Sequence, residues 1–429
     1  MKQEIRARID QIRQGIVPEG YKKTESGIIP NEWRVGQVSK CIEEYKFFSN
    51  DISHIPVYSS SRKGLVPQSD YYNQREAVET NLGYKVVPQG YVTYRHMSDD
   101  DVFHFNINKT GENVLVSSEY PVFTSSDNCD LSFLISVLNN TARFRYFCKM
   151  QKLGGTRTRL YLDNLKRYAL ALPPFDEQKK IAEILSTQDK AIELQGRKIE
   201  ELKRFKKGCL EKMFPRKGQK VPEKRFPGFT DDWEQRKLGE MGQTYTGLSG
   251  KTKDDFGHGQ ARFVTYMNVF SNPISNPDMT EPIEIDPKQN EVEVGDVFFT
   301  TSSETPEEVG MSSILLEKRG KTYLNSFCFG FRPSEKIDSY YLAYMLRSES
   351  TRAKIILLAQ GISRYNISKN KVMEIAVSLP SLDEQKMIGQ YFSPLDNLIT
   401  LHQRKLEEMK NQKKALMQLL LTGIVRVKP

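Results

Sequence analysis

Two adjacent stretches of this chain contain residue types that catalyse reactions in other proteins. Leu172-Pro173-Pro174-Phe175 is similar to the Pro-Pro-aromatic motif of adenine methyltransferases, and Glu177-Gln178-Lys179 matches the Glu-x-Lys end of a nuclease metal site. Methyl transfer needs a polar first residue that accepts a hydrogen bond from the target amine, and here that residue is leucine. The Glu-x-Lys triplet follows no strand-borne aspartate and lies in the first turn of a predicted helix. We interpret both stretches as a rigid turn followed by the start of a helix.

A third stretch, Gly250-Lys251-Thr252, resembles the end of a phosphate-binding P-loop. That loop needs a glycine five residues before Gly250, and the residue there is Tyr245. The sequence shows no Ser/His/Asp or Cys/His arrangement with a defensible spacing. The scattered cysteines, never spaced Cys-x-x-Cys, predict reduced thiols and no structural zinc. We therefore expect this chain to have no catalytic, metal or cofactor site.

Binding is the chemistry that the remaining polar residues favour. Loops 58–64 and 247–253 combine serine, glycine and basic residues, which suit contacts with DNA phosphates and base edges. Strand ends offer further candidates, Tyr94, Arg95 and His96 in the first segment and Thr300, Thr301 and Ser302 in the second. Late in each segment, a glycine and an arginine recur at equivalent positions, as Gly154 and Arg157 and as Gly361 and Arg364. For any single loop, a solvated turn is an equally good explanation. The candidate DNA-binding residues are Ser60, Arg62, Lys63, Tyr94, Arg95, Arg157, Ser249, Lys251, Lys253, Thr301 and Arg364.

These candidates belong to an internally duplicated chain. Sliding the sequence by 207 residues aligns 154–214 with 361–421 without a gap, and 21 of the 61 aligned positions are identical. Both copies contain a Leu-Pro-x-x-Asp-Glu-Gln-Lys element. Repeats of this kind decide the architecture of a chain. The sequence therefore predicts two structural units built on one scaffold.

Composition limits the class of protein. The chain has 429 residues and a formal charge of +9, from 63 Lys and Arg against 54 acids. This length suits several domains, and the charge suits a polyanionic partner without proving one. Because no signal peptide and no long apolar run is visible, we expect a soluble, cytoplasmic protein.

Two globular segments, 21–172 and 226–379, each begin near one of the two tryptophans, Trp33 and Trp233. Both tryptophans are predicted core anchors. Each segment shows short strands, such as 84–87, 90–94, 262–266 and 296–301, and one helical stretch, 131–147 or 340–358. Outside the shared frame the two segments diverge, which indicates related but distinct ligands.

Helical regions follow each segment, at 173–225 and 380–429. Ser186 and Ser393 each begin a Ser-x-x-Asp capping box, and Pro394 takes the first helical position in the second copy. We therefore predict that each repeat contains a short helix followed by a long one. The two long helices are predicted over 187–213 and 394–420, each about 40 Å long. Residues 1–20 hold a short helix followed by Gly-Ile-Val, which is repeated at 423–425. The first residues thus resemble the end of a repeat, so the termini should meet.

The long helices have apolar residues at alternating spacings of three and four, which predicts a coiled coil. Independent packing of each helix on its own domain is the alternative. Because parallel pairing would oppose Lys206 and Lys413, we predict antiparallel pairing in which residue i meets residue 608 − i. Gln195 would then face Lys413, and Lys206 would face His402. The predicted interface residues are Ile192, Gln195, Ile199, Leu202, Lys206, Ile399, His402, Leu406, Met409 and Lys413.

This plan resembles the specificity subunit of type I restriction–modification enzymes over essentially the whole chain. The shared features are a Trp-led globular segment, Gly-x-x-Arg, Leu-Pro-x-x-Asp-Glu-Gln and a long helix, all repeated. The resemblance implies an α+β fold in which two mixed α/β target-recognition domains are separated by two long helices. With the antiparallel pairing predicted above, these helices would form a coiled coil within a pseudo-two-fold repeat. It implies a non-catalytic subunit, each of whose domains reads one half of a bipartite DNA site.

The resemblance also implies partners. Two methyltransferase subunits would dock on the helices, and restriction and translocation subunits would join for cleavage. S-adenosylmethionine, ATP and magnesium would belong to those partners. Base-reading residues in this family vary with the target, so the DNA-binding candidates above rest on local chemistry alone.

Two other functions remain open at this point. A coiled-coil scaffold with two protein-binding heads would show no salt-sensitive binding to random duplex DNA. A self-sufficient DNA-modifying enzyme would need a methyltransferase or nuclease motif, and the candidate motifs fail.

Overall fold

The computed structural model describes residues 3–68, 83–152, 154–216 and 218–427. These residues form two compact units, one made of 1–194 and 406–429 and the other of 195–405. Each unit mixes helices and short strands around its own hydrophobic core, as an α+β fold requires. The division between the units falls within both long helices, so each unit contains a part of each helix.

Short antiparallel sheets make up the first unit. Backbone hydrogen bonds pair its strands into small sheets. The largest sheet has four strands, in the order Asn106–Ile107, Val92–Thr93, Val122–Ser125 and Ile42–Glu44. A three-stranded sheet has the order Val114–Val116, Tyr84–Val87 and Phe48–Ser49. The two-stranded pairs are Tyr21–Thr24 with Gly27–Pro30, Arg34–Gln37 with Ala169–Leu172, Tyr58–Ser61 with Gly64–Pro67, and Met97–Ser98 with Thr158–Arg159.

The second unit repeats this plan. Its four-stranded sheet has the order Gly242–Thr246, Cys328–Pro333, Val297–Thr300 and Ser312–Ile314. Its three-stranded sheet, Thr280–Ile283, Phe256–Val264 and Thr322–Leu324, contains a parallel pair between the last two strands. The two-stranded pairs are Glu234–Lys237 with Ala376–Leu379 and Ser302–Ser303 with Tyr365–Asn366.

The predicted helical stretch of each segment is interrupted in the structure. In the first unit it forms Leu131–Asn140 and Ala142–Lys149, and in the second Ser339–Leu346 and Glu349–Ile356. Thr141 accepts a hydrogen bond from the amide of Phe144, so it caps a new helix. The other described helices are Gln3–Arg13, Leu162–Lys166, Phe175–Met213, Tyr266–Ser271, Lys369–Met373 and Leu382–Leu421. Short 3-10 turns occupy Val38–Lys40, Leu238–Glu240, Lys253–Asp255 and Pro306–Glu308.

The long helices are continuous, and the predicted division into a short and a long helix is wrong. Phe175–Met213 has 39 residues, and Leu382–Leu421 has 40 with Pro394 inside it. A proline removes one intrahelical hydrogen bond and costs roughly 3 kcal/mol in a helix interior. Phe392, which is completely buried, and Ile388 anchor the turn before it in the core. Burial on this scale stabilises the helix by a comparable amount, so tertiary packing outweighs the break.

Within the second unit the two long helices pair in antiparallel orientation. Gln195 Nε2 lies 2.8 Å from His402 Nδ1, and Lys206 Nζ lies 2.5 Å from Asp396 Oδ1. Further along, Cys209 Sγ lies 3.4 Å from the Tyr391 hydroxyl. As residue numbers increase along the first helix, the numbers of their partners in the second helix decrease, so the two helices are antiparallel.

Within the first unit, Lys413 Nζ lies 2.5 Å from Asp189 Oδ1. Asp189 and Lys206 are the repeat equivalents of Asp396 and Lys413, so the two ion pairs are one contact repeated. Gln195 and His402 are also equivalent to each other. A pseudo-two-fold repeat of this kind makes equivalent contacts in both units.

The predicted register, residue i against residue 608 − i, is therefore wrong. It placed Gln195 against Lys413 and Lys206 against His402. Each half-buried lysine instead meets the aspartate of a predicted capping box, because opposite charges offset the desolvation of the ammonium group. The ten predicted interface residues are nevertheless all removed from solvent at least in part. Ile199 and Ile399 are buried, and the other eight are half-buried.

A buried carboxylate joins the start of the second long helix to its domain. Glu384 accepts hydrogen bonds from Trp233 Nε1 at 3.2 Å and from two guanidinium nitrogens of Arg225, at 2.9 and 2.7 Å. Trp233 is buried, which confirms its prediction as a core anchor. Glu384 therefore holds Trp233 and Arg225 against the helix in addition to favouring the helix start.

The same cluster recurs in the first unit, but its arginine comes from the far end of the chain. Glu177 accepts hydrogen bonds from Trp33 Nε1 at 3.1 Å and from Arg426, at 2.7 and 2.8 Å. Trp33 is completely buried, again as predicted. The Tyr21 hydroxyl donates to the Gly423 carbonyl at 2.8 Å. These contacts confirm that the two termini meet.

The glutamine that follows each of these glutamates orders the neighbouring helix. Gln178 accepts a hydrogen bond from the amide of Asp130 at 2.9 Å and donates to the Pro173 carbonyl at 2.9 Å. Gln385 makes the same two contacts with Asp338 and Pro380. Asp130 and Asp338 in turn cap the helices that follow them. The repeated Asp-Glu-Gln element thus fixes helix starts on both sides.

None of the helices in the described part of the chain is both long enough and apolar enough to span a membrane.

Asp396→Ala should destabilise the second unit by about 1–3 kcal/mol, because it leaves the half-buried Lys206 ammonium and the Tyr344 hydroxyl without their acceptor. Asp189→Ala is the matched control. Its carboxylate is 60% exposed, so the same change in the first unit should cost less than about 1 kcal/mol. Urea unfolding followed by the single tryptophan of each unit, with the other replaced by phenylalanine, measures both. Equal losses would show that burial does not set the strength of these pairs.

Candidate nucleic-acid interface

A cavity of about 470 Å³ in the first unit brings four predicted DNA-binding residues together: Ser60, Arg62, Lys63 and Arg95. The hairpin Tyr58–Ser61 with Gly64–Pro67 supplies the first three, and Arg95 follows the strand Val92–Thr93. The cavity is lined by Ser60, Ser61, Arg62, Lys63, Val66, Arg95, Met97, Ser98, Asp99, Val102, Phe103 and His104.

The turn of this hairpin is held by one hydroxyl. Ser61 Oγ donates to the Gly64 carbonyl at 2.9 Å and accepts from the Lys63 amide at 3.1 Å. Gly64 has a φ of +113°, which a side chain would strain. Arg62 and Lys63 therefore lie at the tip of a hydrogen-bonded turn.

Two arginines of the first unit are paired with adjacent acids. Arg62 lies 2.6 Å from Asp100, and Arg157 lies 2.8 Å from Asp99. The strand pair Met97–Ser98 with Thr158–Arg159 brings Arg157 to this edge. Burial opposes ionisation of Asp100, but hydrogen bonds from Ser98 and Arg62 lower its pKa. The arginines are thus oriented by carboxylates and remain half-exposed.

His104 lines the same cavity and was not among the predicted residues. Burial, with a smaller contribution from Arg62, lowers its pKa, so the imidazole is held towards its neutral form. A neutral imidazole both donates and accepts hydrogen bonds, as base edges require. No local motif marks this residue in the sequence; only the folded chain places it beside Arg62.

Two predicted contacts of the first unit are used inside the protein. The prediction for Tyr94 is wrong, because its side chain is completely buried and its hydroxyl donates to the Leu160 carbonyl at 3.0 Å. Tyr94 is a core residue of the sheet. Ser60 is also buried, at 5% exposure, and its hydroxyl accepts a hydrogen bond from Asn106 at 2.8 Å.

In the second unit, Thr301 and Arg364 lie around Phe327. Thr301 Oγ1 donates to the Phe327 carbonyl at 2.9 Å, and the Arg364 guanidinium carbon lies 5.9 Å from the centre of the Phe327 ring. The ring is 55% exposed. A half-exposed aromatic beside an arginine is a surface that can contact both bases and phosphates.

The loop with Ser249, Lys251 and Lys253 is anchored separately. The Ser249 amide donates to Gln289 at 2.9 Å, and Lys251 forms an ion pair with Asp286 at 2.8 Å. This pairing raises the pKa of Lys251. Because the Lys251 side chain is largely covered, Lys253 is the exposed cation of this loop.

In the part of the chain that the structure describes, no cluster of three or more His, Cys, Asp or Glu side chains could hold a metal ion.

Comparison with known families identifies the class of protein. Residues 35–204 and 230–411 both match the family described as "Type I restriction modification DNA specificity domain". The two matches cover most of the chain and follow the internal repeat. The chain belongs to this family. It is a DNA specificity subunit of the type I restriction–modification class, with two target-recognition domains.

Two similar proteins support this assignment, one of them over nearly all of the chain. A putative type I restriction enzyme MjaX specificity subunit of Methanocaldococcus jannaschii is 25% identical, over 96% of this chain and 97% of that protein. The MjaVIII specificity subunit of the same organism is 28% identical, over 62% of this chain and 63% of that protein.

Solved structures show the same fold. A chain from a study of complex assembly and conformational transition in a type I system matches with a TM-score of 0.55 at 14% identity, covering 92% of this chain and 99% of that chain. The specificity subunit of M. genitalium matches with a TM-score of 0.54 at 13% identity, covering 90% and 96%.

Arg157→Ala and Arg364→Ala should each weaken DNA binding and reduce the slope of log affinity against log salt by about 0.9 if each contacts one phosphate. Arg319→Ala, which removes an exposed, ion-paired arginine elsewhere in the second unit, is the control. Fluorescence anisotropy at several salt concentrations measures the slope. An unchanged affinity and slope in both variants would remove Arg157 and Arg364 from the interface.

Proposed function

We propose that this chain directs a type I enzyme to a bipartite DNA sequence, with one globular domain reading each half-site. One observation carries the proposal: the two domains share a frame and differ at its surface. The frame is the part that the repeat shares, in which an early strand of each domain pairs with its last strand. Leu172 pairs with Arg34 in the first domain, and Leu379 pairs with Glu234 in the second. A conserved frame with variable loops is how one fold presents different specificities.

Corresponding points of the two surfaces carry different chemistry. Arg157 and Arg364 are equivalent in the repeat, yet the first pairs with Asp99 and the second lies over Phe327. Charged groups favour guanine edges and phosphates, whereas an aromatic face favours stacking. Two unlike surfaces support two unlike half-sites.

The long helices are proposed to separate the two readers and to dock methyltransferase subunits. Each helix is about 60 Å long at 1.5 Å per residue. Leu194 and Leu401 occupy equivalent positions and are 61% and 60% exposed. An exposed leucine retained in both copies suits a partner that binds twice, once per repeat.

Restriction and translocation subunits are proposed to join this assembly for cleavage. Methyl transfer and ATP-dependent steps are assigned to the partners, with S-adenosylmethionine, ATP and magnesium. The chain itself is proposed to be non-catalytic. Its share of the reaction is to choose the DNA sequence.

Replacing residues 35–150 with those of a related chain should change one half of the methylated motif and leave the other half intact. The reciprocal replacement of 235–357 should change only the other half. Methylation mapping in cells that express each chimera with its methyltransferase provides the measurement. A change in both halves from one replacement would exclude the two-reader arrangement.

Leu194→Glu and Leu401→Glu should each remove one of two bound methyltransferase subunits, because a carboxylate cannot be buried in an apolar contact without a large penalty. Phe205→Glu is the control, since Phe205 is 53% exposed on the same helix but its repeat equivalent is Gln412. Native mass spectrometry gives the subunit ratio. Two bound subunits in both leucine variants would place the docking surface elsewhere.

A further inference from the structure

A tight loop in the second unit presents an isoleucine to solvent. Ile362 is 96% exposed, more than any other large apolar residue in the described part of the chain. Gln360 and Asn366 close the loop with two backbone hydrogen bonds, at 2.9 and 2.8 Å. Gly361 has a φ of +137°, and a Cβ there would lie 2.0 Å from the Arg364 carbonyl oxygen. The loop therefore holds Ile362 in a defined position.

The neighbours of this loop are groups already placed in the candidate interface. Arg364 ends the loop and lies over the Phe327 ring. The following strand, Tyr365–Asn366, pairs with Ser302–Ser303, and the Ile367 amide donates to the Thr301 carbonyl at 3.0 Å. Ile362 thus belongs to the same edge as Thr301, Phe327 and Arg364.

The first unit has a different residue at the equivalent position. Gly154 and Arg157 match Gly361 and Arg364, but Gly155 stands where the second copy has Ile362. The repeat therefore keeps the glycine and the arginine and varies the side chain between them. An exposed isoleucine adds nothing to folding here, since its apolar surface stays in water.

We propose that Ile362 is a specificity-determining residue that packs against an apolar base surface in the DNA half-site read by the second unit. DNA offers such a surface in the thymine methyl group, and in the base face where a step is opened. Arg364 holds the adjacent phosphate. The first unit, with Gly155, lacks this contact. This inference rests on the proposed function and assigns one base preference to one residue.

The test uses the complete complex with its methyltransferase subunits and a duplex containing the mapped target. Ile362→Ala should lower affinity for the target about tenfold, as loss of one base contact does. Its affinity for a non-target duplex and its salt slope should not change. Leu357→Ala, which truncates a residue 79% exposed in the same unit, should alter neither affinity. Thermal unfolding midpoints for both variants confirm that they fold.

A scan of every base pair in the second half-site locates the contact. The unaltered complex should discriminate strongly at one or two neighbouring positions where Ile362→Ala does not. Replacing thymine there with deoxyuridine reproduces the loss if the methyl group is the surface. A rise in 2-aminopurine fluorescence that needs Ile362 identifies an opened step.

Three results would overturn the inference. The first is an Ile362→Ala complex that still discriminates every base pair normally. The second is an equal loss of affinity for target and non-target duplexes, and the third is loss of the methyltransferase subunits. A complex of the unaltered chain that does not prefer its mapped target would overturn the proposed function as well, so the two failures are distinguishable.

Discussion

Each half of the structure depends on a buried carboxylate at the start of a long helix. Glu177 and Glu384 lie almost fully buried, and each is neutralised by an arginine while it accepts a tryptophan N–H. Removing one member of such a pair leaves an uncompensated buried charge, which costs about 3–5 kcal/mol. In the first unit the arginine is Arg426, so the charge of Glu177 is neutralised by a residue that is distant in sequence.

This contact explains how one scaffold can carry two specificities. Tryptophan, glutamate and arginine tie the strand that follows the tryptophan to the long helix at the end of the domain, and the adjacent glutamine fixes a further helix start. The loops that face outward take no part in these bonds. They can differ, as Gly155 and Ile362 do, without loss of the frame. If the outward loops read the DNA, as we propose, specificity and stability reside in separate sets of residues.

Several predictions failed where tertiary contacts outweighed local signals. Pro394 looked like a helix start, but Phe392 and Ile388 are buried immediately before it, and the helix continues. Asp189 and Asp396 looked like capping residues, whereas they pair with Lys413 and Lys206. Tyr94 looked like an exposed strand end and is a core residue. In each case the deciding partner is distant in sequence.

The sequence by itself determined the two-fold repeat, the two tryptophan anchors, the long helices and the meeting of the termini. These follow from identities between the copies and from helical periodicity, which are legible along one chain. Only the tertiary structure decided the helix register, the partner of each buried glutamate and the residues that share the cavity with Arg62. Those depend on which side chains meet across long sequence separations, where burial and charge pairing, not local pattern, set the free energy.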